Sequence, residues 1–302
     1  MSTLDGSEVK IIVDRLKCDL CGQCVKICPC EYLAVEYKTI VKRRDPSMAC
    51  LTCGHCAAIC PHQAIAVESD GFRREDVLEF SKDDPPSYES LYRLLVGRRS
   101  IRQFQDQAVP GDAVSKILEA AQTAPIGLPP SDVKVCVLDG KAQVHAFAFD
   151  FLDEVSRKAW LFSKVGIWIL RPFMSAEQHR QMRVKIAPLY KILLQGRRAG
   201  TDFLFYDAPL AMIFLTDEAD PDDSAIAATY AMLAAESLGL GSCMIGTVVP
   251  MLKDTGEKFK SKYQIPKEAG QGLAVIFGYP LPKFQRGVRR RFAGIFRPEL
   301  RS

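Results

Sequence analysis

Helical periodicities and short apolar runs alternate along most of the chain. Ser87 and Asp112 each stand where a helix cap is expected, because apolar residues follow them at helical spacing. The Ala-rich residues 224–238 predict a helix buried on most faces, and residues 149–205 predict a largely helical region. Buried strands are predicted at three apolar runs, residues 134–138, 210–215 and 273–277. This mixture of elements predicts an α+β fold class.

The N-terminal part of the chain contains an internal repeat with a period of 32 residues. Four cysteines and a proline recur at the same spacing, first as Cys18, Cys21, Cys24, Cys28 and Pro29, then as Cys50, Cys53, Cys56, Cys60 and Pro61. The similarity continues beyond the cysteines, where residues 33–36 fall in register with residues 65–68. Each half therefore predicts a metal-binding loop, a short helical turn and a strand.

Composition narrows the class of protein. The chain has 302 residues, 48% of them hydrophobic, and its net charge of +4 is too small to indicate nucleic-acid binding. No apolar run reaches the length of a membrane span, and the N-terminus lacks the apolar stretch of a secretory signal. Nine of the eleven cysteines lie between Cys18 and Cys60. We therefore expect a cytoplasmic protein whose reduced cysteines hold metal.

The cysteine spacing resembles that of bacterial ferredoxins with two 4Fe-4S clusters, in which the fourth cysteine of each run binds the other cluster. Gly22 and Gly54 occupy matching positions, where a side chain would crowd a cluster. The crossover predicts two ligand sets: Cys18, Cys21, Cys24 and Cys60 for the first cluster, and Cys50, Cys53, Cys56 and Cys28 for the second.

The alternative is a pair of structural zinc sites built from the C-x2-C pairs. Three closely spaced cysteines and a Cys-Pro pair, present twice, fit zinc poorly. Cys30 lies in register with His62 rather than with a ligand, so we expect it to be a bystander thiol. Cys136 and Cys243 are expected to pack as small hydrophobic residues.

Five further motifs come after the repeat in a fixed order. They are residues 97–104 (GRRSIRQF), 121–125 (AQTAP), 207–209 (DAP), 238–246 (LGLGSCMIG) and 278–280 (GYP). Together they resemble the nitroreductase family from about Ser87 to the C-terminus. The resemblance implies a nitroreductase-like mixed α/β sandwich, an FMN-dependent oxidoreductase and a homodimer with FMN at the subunit interface.

The same resemblance implies which residues hold FMN. Arg98, Arg99 and Ser100 match the family positions at the flavin phosphate and ribityl chain, where guanidinium groups suit a dianion. Arg102 matches the basic residue near the pyrimidine edge of the ring. The remaining implied contacts come from backbone at Pro125, Ile126, Gly127 and Leu128, from backbone at Met244, Ile245 and Gly246, and from the tail pair Arg290 and Arg291. The loop after Pro125 lacks the Ser and Asn that the family often has there.

We predict a ferredoxin-like domain at residues 1–70, a linker at 71–86 and a nitroreductase-like FMN domain at 87–302. Within the last, residues 149–205 occupy the place where the family varies its substrate cover. Seven Lys or Arg lie in residues 171–200, against one acid, Glu177. A solvated helix face, a cover that favours anionic substrates and a dock for an acidic electron carrier all remain open for this region.

The predicted function is the transfer of electrons from an external low-potential donor through the two clusters to FMN. Ferredoxin, flavodoxin or NAD(P)H is the expected donor, and a nitroaromatic, a quinone or an activated alkene is the expected small-molecule acceptor. No catalytic side chain is assigned, because the reacting atom in this family is the flavin N5. A relay protein without its own substrate and a flavin-based redox sensor are the alternatives.

Overall fold

The computed structural model describes residues 9–69, 71–80, 85–216, 220–267 and 271–298. The chain forms two compact units. The first unit consists of the chain up to Pro85 together with Ile126–Asp132, and the second consists of Pro86–Pro125 and the chain from Val133 onward. Residues 81–84 of the predicted linker lie outside the described residues.

The part of the first unit that the structure describes contains four short strands and two short α-helices. They are β1 (Lys10–Val13), α1 (Gln23–Ile27), β2 (Leu33–Glu36), β3 (Thr39–Lys42), α2 (His55–Ala58) and β4 (Ile65–Glu68). Strand β1 pairs with β4 and β2 pairs with β3, both antiparallel. The predicted strands at 33–36 and 65–68 and the helical turn in each half are present. The sequence did not indicate β1 and β3, whereas β2 and β4, which are equally short, were predicted because they match each other within the repeat.

The backbone of the first unit repeats with the sequence. Left-handed conformations recur 32 residues apart, at Leu20 (φ 64°) and Thr52 (φ 56°), Gly22 and Gly54 (both φ 71°), and Glu31 and Gln63 (both φ 49°). Non-glycine residues rarely adopt this conformation, so its recurrence shows that both halves fold the cysteine loop in the same way.

The two halves differ in the segment after their last strand. Residues 71–80, predicted as part of a linker, pack onto the second half instead. Phe72 forms a β-bridge with Ser69, and its ring lies so close to Gly54 that a methyl group at Gly54 would overlap it. Arg74–Asp76 then forms a short 3-10 turn. The apolar ring of Phe72 within a charged stretch explains why this segment does not remain a free linker.

The second unit contains one sheet and nine helices within its described residues. The strands are β5 (Lys134–Asp139), β6 (Leu210–Thr216), β7 (Gly241–Ile245) and β8 (Gln271–Gly278). The helices are α3 (Tyr88–Gly97), α4 (Gly111–Gln122), α5 (Lys141–Ser156), α6 (Lys164–Leu170), α7 (Ala176–Gln181), α8 (Ala187–Ala199), α9 (Pro221–Ser237), α10 (Val249–Leu252) and α11 (Glu257–Lys262).

The sheet has the strand order β5-β6-β8-β7, and every neighbouring pair is antiparallel. Helices cover both of its faces. Ala211, Ile213 and Leu215 of β6 lie in a cluster with residues of α5, α8 and α11, whereas alternate residues such as Met212 and Phe214 lie in a cluster with α4 and α9. Burial on both faces explains why β6 is apolar throughout rather than alternating.

The three predicted strands and the Ala-rich helix of this unit are present. Ser87 caps α3, because its side chain accepts a hydrogen bond from the backbone N–H of Ser90. The predicted cap at Asp112 is wrong. Helix α4 begins at Gly111 after Pro110, and Asp112 lies in its first turn, where it forms an ion pair with Lys116. An acidic residue stabilises either position, so sequence alone did not separate them.

The predicted helical region at 149–205 is largely helical, with α6, α7 and α8 coming after the end of α5. A π-helical turn at Met182–Ile186 joins α7 to α8. Among the described residues we find no helix that combines the length and hydrophobicity needed to span a membrane.

Candidate functional sites

Two small cavities in the first unit are lined by cysteines from both halves of the repeat. One cavity is lined by Cys18, Cys21, Cys24 and Cys60. The other is lined by Cys28, Cys50, Cys53 and Cys56. The structure thus groups the eight thiols into the two sets that the crossover predicts, and each set takes one cysteine from the opposite half.

The thiol groups in each set are close enough to affect one another. Burial raises the pKa of Cys56 to about 12, and the nearby thiols of Cys50 and Cys53 act in the same direction. Burial also raises the pKa of Cys24, with a smaller effect in the same direction from Cys60 and Cys18. Collecting four thiolates at such a place is unfavourable unless a cation neutralises them, so these donor sets fit a metal cluster.

Backbone N–H groups point at the sulfur atoms at equivalent places in the two halves. The N–H of Tyr32 donates to Cys28 Sγ at 3.3 Å, and the N–H of Ala64, 32 residues later, donates to Cys60 Sγ at 3.2 Å. Such hydrogen bonds stabilise thiolate charge and tune the potential of an iron–sulfur cluster. They are consistent with cluster ligation by both residues.

Cys30 is buried and also lines the second cavity, as a fifth cysteine in addition to the predicted set of four. All eleven cysteines of the chain are free of disulfide bonds. Cys243 is buried in the sheet of the second unit, and Cys136 packs against the same cluster. These two positions agree with the small hydrophobic role that the sequence predicts.

The arginine motif and the Gly-rich motif of the second unit lie side by side. Ser100 forms a parallel β-bridge with Ser242, and the N–H of Ile101 donates to the carbonyl of Ser242 at 3.0 Å. Gly241 permits this approach, because a methyl group there would overlap the side chain of Ile101. The segment after α3 therefore extends the sheet next to β7.

Three polar side chains of the arginine motif face the start of β7. Burial raises the pKa of the Cys243 thiol, whereas Arg102, Ser100 and Arg98 act in the opposite direction. Burial also raises the pKa of Glu236 on α9, against the effect of Arg98 and Arg99. The site is thus a cluster of three arginines in which one carboxylate offsets part of the charge.

Some of the polar groups here have no hydrogen-bond partner among the described residues. They are the buried Ser242 Oγ and the buried Arg99 Nε. Arg99 is otherwise held in place, since its Nη2 donates to the carbonyl of Val96 at 2.6 Å. Uncommitted donors beside converging arginines fit a phosphorylated ligand such as FMN, so the donor set of this site is suitable for that cofactor.

The other predicted flavin residues lie in two places. Met244 and Gly246 are exposed on β7 and just after it, with Ile245 buried between them. Pro125 belongs to the second unit, whereas Ile126, Gly127 and Leu128 belong to the first. Within the first unit, the loop continues to Pro130, which lies against Gly71.

The basic tail contacts α3 through residues 287–289. These are not the predicted pair, Arg290 and Arg291. Gly287 lies against Val96, the carbonyl of Val288 accepts a hydrogen bond from Arg99, and Arg289 donates to the hydroxyl of Tyr92 at 3.2 Å. Arg290 and Arg291 are exposed. A run of arginines gives no signal for which of them is bound, so the sequence does not distinguish Arg289 from the predicted pair Arg290 and Arg291.

The sequence also does not mark Glu236, Ser242 or Phe72 as residues of a site. Glu236 and Ser242 become relevant only because α9 and β7 lie beside the arginine motif, which no local pattern indicates. The Phe72 ring shows a weak signal, as an isolated aromatic residue in a charged stretch.

Comparison with known proteins assigns both units. Residues 95–279 match the nitroreductase family, and residues 10–61 match a 4Fe-4S dicluster domain. A protein of Methanothermobacter thermautotrophicus, described as an NADH dehydrogenase/NAD(P)H nitroreductase, is 28% identical over 190 residues, which cover 61% of this chain and 73% of that protein.

The solved structures that the chain matches include two nitroreductases with bound FMN. The one from Bacteroides fragilis is 20% identical, with a TM-score of 0.49, over 70% of this chain and 98% of that chain. The one from Desulfitobacterium hafniense is 20% identical, with a TM-score of 0.48, over 69% and 97%.

The chain belongs to the nitroreductase family and carries a 4Fe-4S dicluster domain at its N-terminus. The family resemblance and the α+β fold class predicted from the sequence are thereby confirmed. The protein is an oxidoreductase of the nitroreductase type.

Proposed function

We propose that this protein takes electrons from an external low-potential donor into two 4Fe-4S clusters and passes them by way of FMN to a small organic acceptor. The observation that carries the proposal is the separation of eight cysteines into two sets of four, each lining its own cavity, in a chain of the nitroreductase family. A plain nitroreductase has no need of such sets.

The residues proposed to hold the clusters are the eight cysteines of the repeat, and those proposed to hold FMN include Arg98, Arg99, Ser100 and Arg102. When bound, the clusters exchange single electrons at low potential and FMN exchanges one or two electrons. The proposed cluster ligands lie within one small unit. Both sites are therefore positioned by the same two antiparallel sheets, β1 with β4 and β2 with β3.

Residues of the second unit have three roles in this proposal. Arg98 and Arg99 bind and orient the phosphate, and their positive charge is partly offset by Glu236. Arg102 adds positive charge beside β7. The exposed backbone at Gly246, where a methyl group would meet no atom within 4 Å, leaves room for a planar ring. Protons for the acceptor come from solvent, since no acid or base is assigned.

The acceptor is proposed to be a nitroaromatic, a quinone or an activated alkene, and the donor a ferredoxin, a flavodoxin or NAD(P)H. We propose a cytoplasmic homodimer. The free state of all eleven cysteines agrees with a reducing compartment. Phe292 and Phe296 in the tail are 84% and 91% exposed in the single chain, which supports burial against a second copy.

Cofactor analysis of anaerobically purified protein tests this proposal. We expect about eight irons and one FMN per chain, since two cubanes hold eight irons. The Cys30→Ser variant serves as a matched control and should keep the same iron content, because Cys30 belongs to neither ligand set. Zinc in place of iron, or about four irons per chain, would overturn the two-cluster assignment.

A further inference from the structure

A cavity of about 1010 Å³ lies among the helices of the basic region in the second unit. It is formed by the 3-10 turn Ala159–Phe162, by α6, by α7 and by α8. Its volume is at the upper end of the range for pockets that bind small molecules. None of the residues predicted to contact FMN lines it, so it is a separate site from the arginine motif.

The charge of this cavity has one sign. Five lysines or arginines line it, and no aspartate or glutamate does: Lys164, Arg171, Arg183, Lys191 and Arg198. None of the five forms an ion pair with any residue in the described part of the chain.

Neighbouring arginines behave differently. Arg157 pairs with Glu154, and Arg180 pairs with Glu177 in a bidentate arrangement at 2.8 Å. The region therefore contains acids, but they neutralise arginines outside the cavity. A merely solvated basic face would show no such division between paired and unpaired cations.

Helical spacing in the sequence places several of these residues on the side of α8 that lines the cavity. Lys191, Leu194, Gln195 and Arg198 lie at positions i, i+3, i+4 and i+7 of α8 and form one stripe toward the cavity. The opposite stripe of α8 is buried, with Tyr190 and Leu193 in the core. The π-helical turn before α8 contains Arg183, and such turns occur frequently at functional sites.

Apolar side chains complete the lining. Phe162 stacks on the buried Tyr190 with ring centroids 4.4 Å apart, which fixes its position. Ile167 is buried, whereas Trp168 is 72% exposed at the cavity and offers a large aromatic surface. The Tyr190 hydroxyl donates to the carbonyl of Thr247 at 3.0 Å, just beyond the exposed Gly246. A ligand here would touch Phe162, which packs on Tyr190, and Tyr190 in turn contacts the segment after β7.

We propose that this cavity binds a small molecule carrying at least two phosphate groups. Three arginines and two lysines with no acidic partner repel one another, and a polyanion removes that repulsion. Phosphate is favoured over carboxylate because guanidinium groups bind its oxygens in pairs and five cations exceed what a single carboxylate neutralises. Phe162 and Trp168 accommodate an apolar or aromatic body next to the phosphates. The site stands independently of the proposed electron path.

Isothermal titration calorimetry of the full-length, FMN-loaded protein with inorganic pyrophosphate tests the site. FMN occupies the arginine motif during the titration, so the probe reports on the cavity. The triple variant Arg183→Gln/Lys191→Gln/Arg198→Gln should bind pyrophosphate at least about tenfold more weakly, which corresponds to roughly 1.4 kcal/mol. Raising the salt concentration should weaken wild-type binding, because the interaction is between charges.

The matched control is Arg180→Gln, which removes one positive charge from the same region but outside the cavity. It should bind pyrophosphate as the wild type does. The single variants Lys191→Gln and Arg198→Gln, at exposed positions, each give a smaller loss and replace the triple variant if that protein does not fold.

A second arm with NADP⁺ distinguishes a nucleotide ligand from another phosphate compound. Tighter binding than pyrophosphate supports a nucleotide, weaker binding supports a non-nucleotide, and either affinity must fall in the triple variant. Equal pyrophosphate binding by the wild type and the triple variant, no binding by the wild type, or binding of citrate as tight as that of pyrophosphate would overturn the proposal.

Discussion

The two halves of the cysteine repeat share one backbone but lie in different surroundings. Gly22 and Gly54 have the same left-handed conformation. Space beside Gly22 is open, whereas Gly54 is covered by the ring of Phe72. Cys21, next to Gly22, is exposed, whereas Cys53, next to Gly54, is half-buried. The second half is therefore shielded from solvent by the segment after its last strand.

This difference indicates that the two proposed cluster sites are not equivalent, although their cysteines have the same spacing. Solvent exposure is one of the factors that set the potential of an iron–sulfur cluster. We expect the cluster next to Gly22 and the cluster next to Gly54 to differ in potential, although their ligands have the same spacing. The asymmetry originates outside the repeat, in the cover that Phe72 supplies.

The largest difference between the two halves is expected when Gly54 is substituted. Gly54→Ala adds a methyl group that overlaps the Phe72 ring and imposes an unfavourable left-handed conformation, which alone costs about 1–2 kcal/mol. We expect this variant to lose most of its second cluster, with an iron content falling from about eight toward about four per chain. Gly22→Ala is the matched control. It shares the conformational cost and the crowding expected beside a cluster, but its methyl group meets no aromatic ring, so it should lose less iron than Gly54→Ala does.

The double variant Gly54→Ala/Phe72→Ala separates the two causes. Removing the ring relieves the overlap, so iron content should recover toward that of Gly22→Ala. If Gly54→Ala and Gly22→Ala lose equal amounts of iron, Phe72 does not distinguish the two halves.

A smaller effect is expected at the proposed flavin site, where arginines rather than cysteines bind the cofactor. Arg98→Ala should weaken FMN binding by about 1.5–3 kcal/mol through loss of a charge-assisted hydrogen bond, or roughly tenfold to a hundredfold in Kd. Iron content and the cluster spectrum should not change. Fluorimetric FMN titration checks this, with the exposed Arg93→Ala on the same helix as control. Unchanged FMN affinity in Arg98→Ala would contradict the phosphate assignment.

The cysteine repeat illustrates what the sequence predicts well. The resemblance of its spacing to that of two-cluster ferredoxins predicts two sets of four ligands, and the structure places each set around its own cavity. The caps and buried strands are also predictable where a local signal exists, as at Ser87 and residues 210–215. Elements with no local signal are not, such as β1, whose partner β4 lies more than fifty residues away.

The remaining features depend on contacts between residues that are distant in the sequence. Phe72 covers Gly54 only after the strand β4 brings the chain back, so the charged composition of this segment predicts a linker instead. Residues 126–132 belong to the first unit although the motifs around them belong to the second. For the basic region at residues 171–200, the sequence allows a solvated helix face, a cover that favours anionic substrates or a dock for an electron carrier. The positions of its unpaired cations around one cavity favour the binding of an anionic small molecule.

Stopped-flow measurement of flavin bleaching by reduced ferredoxin tests the proposed electron path most directly. Full-length Cys24→Ser and Cys56→Ser, with Cys30→Ser as control, are cleaner than deletion of residues 1–70, because residues 126–132 belong to the same compact unit as the deleted segment. We predict that both ligand variants bleach well below the wild-type rate with ferredoxin, that Cys30→Ser matches the wild type, and that dithionite reduces all four proteins similarly. Equal bleaching by ferredoxin in all four proteins would show that the clusters do not lie on the path to FMN.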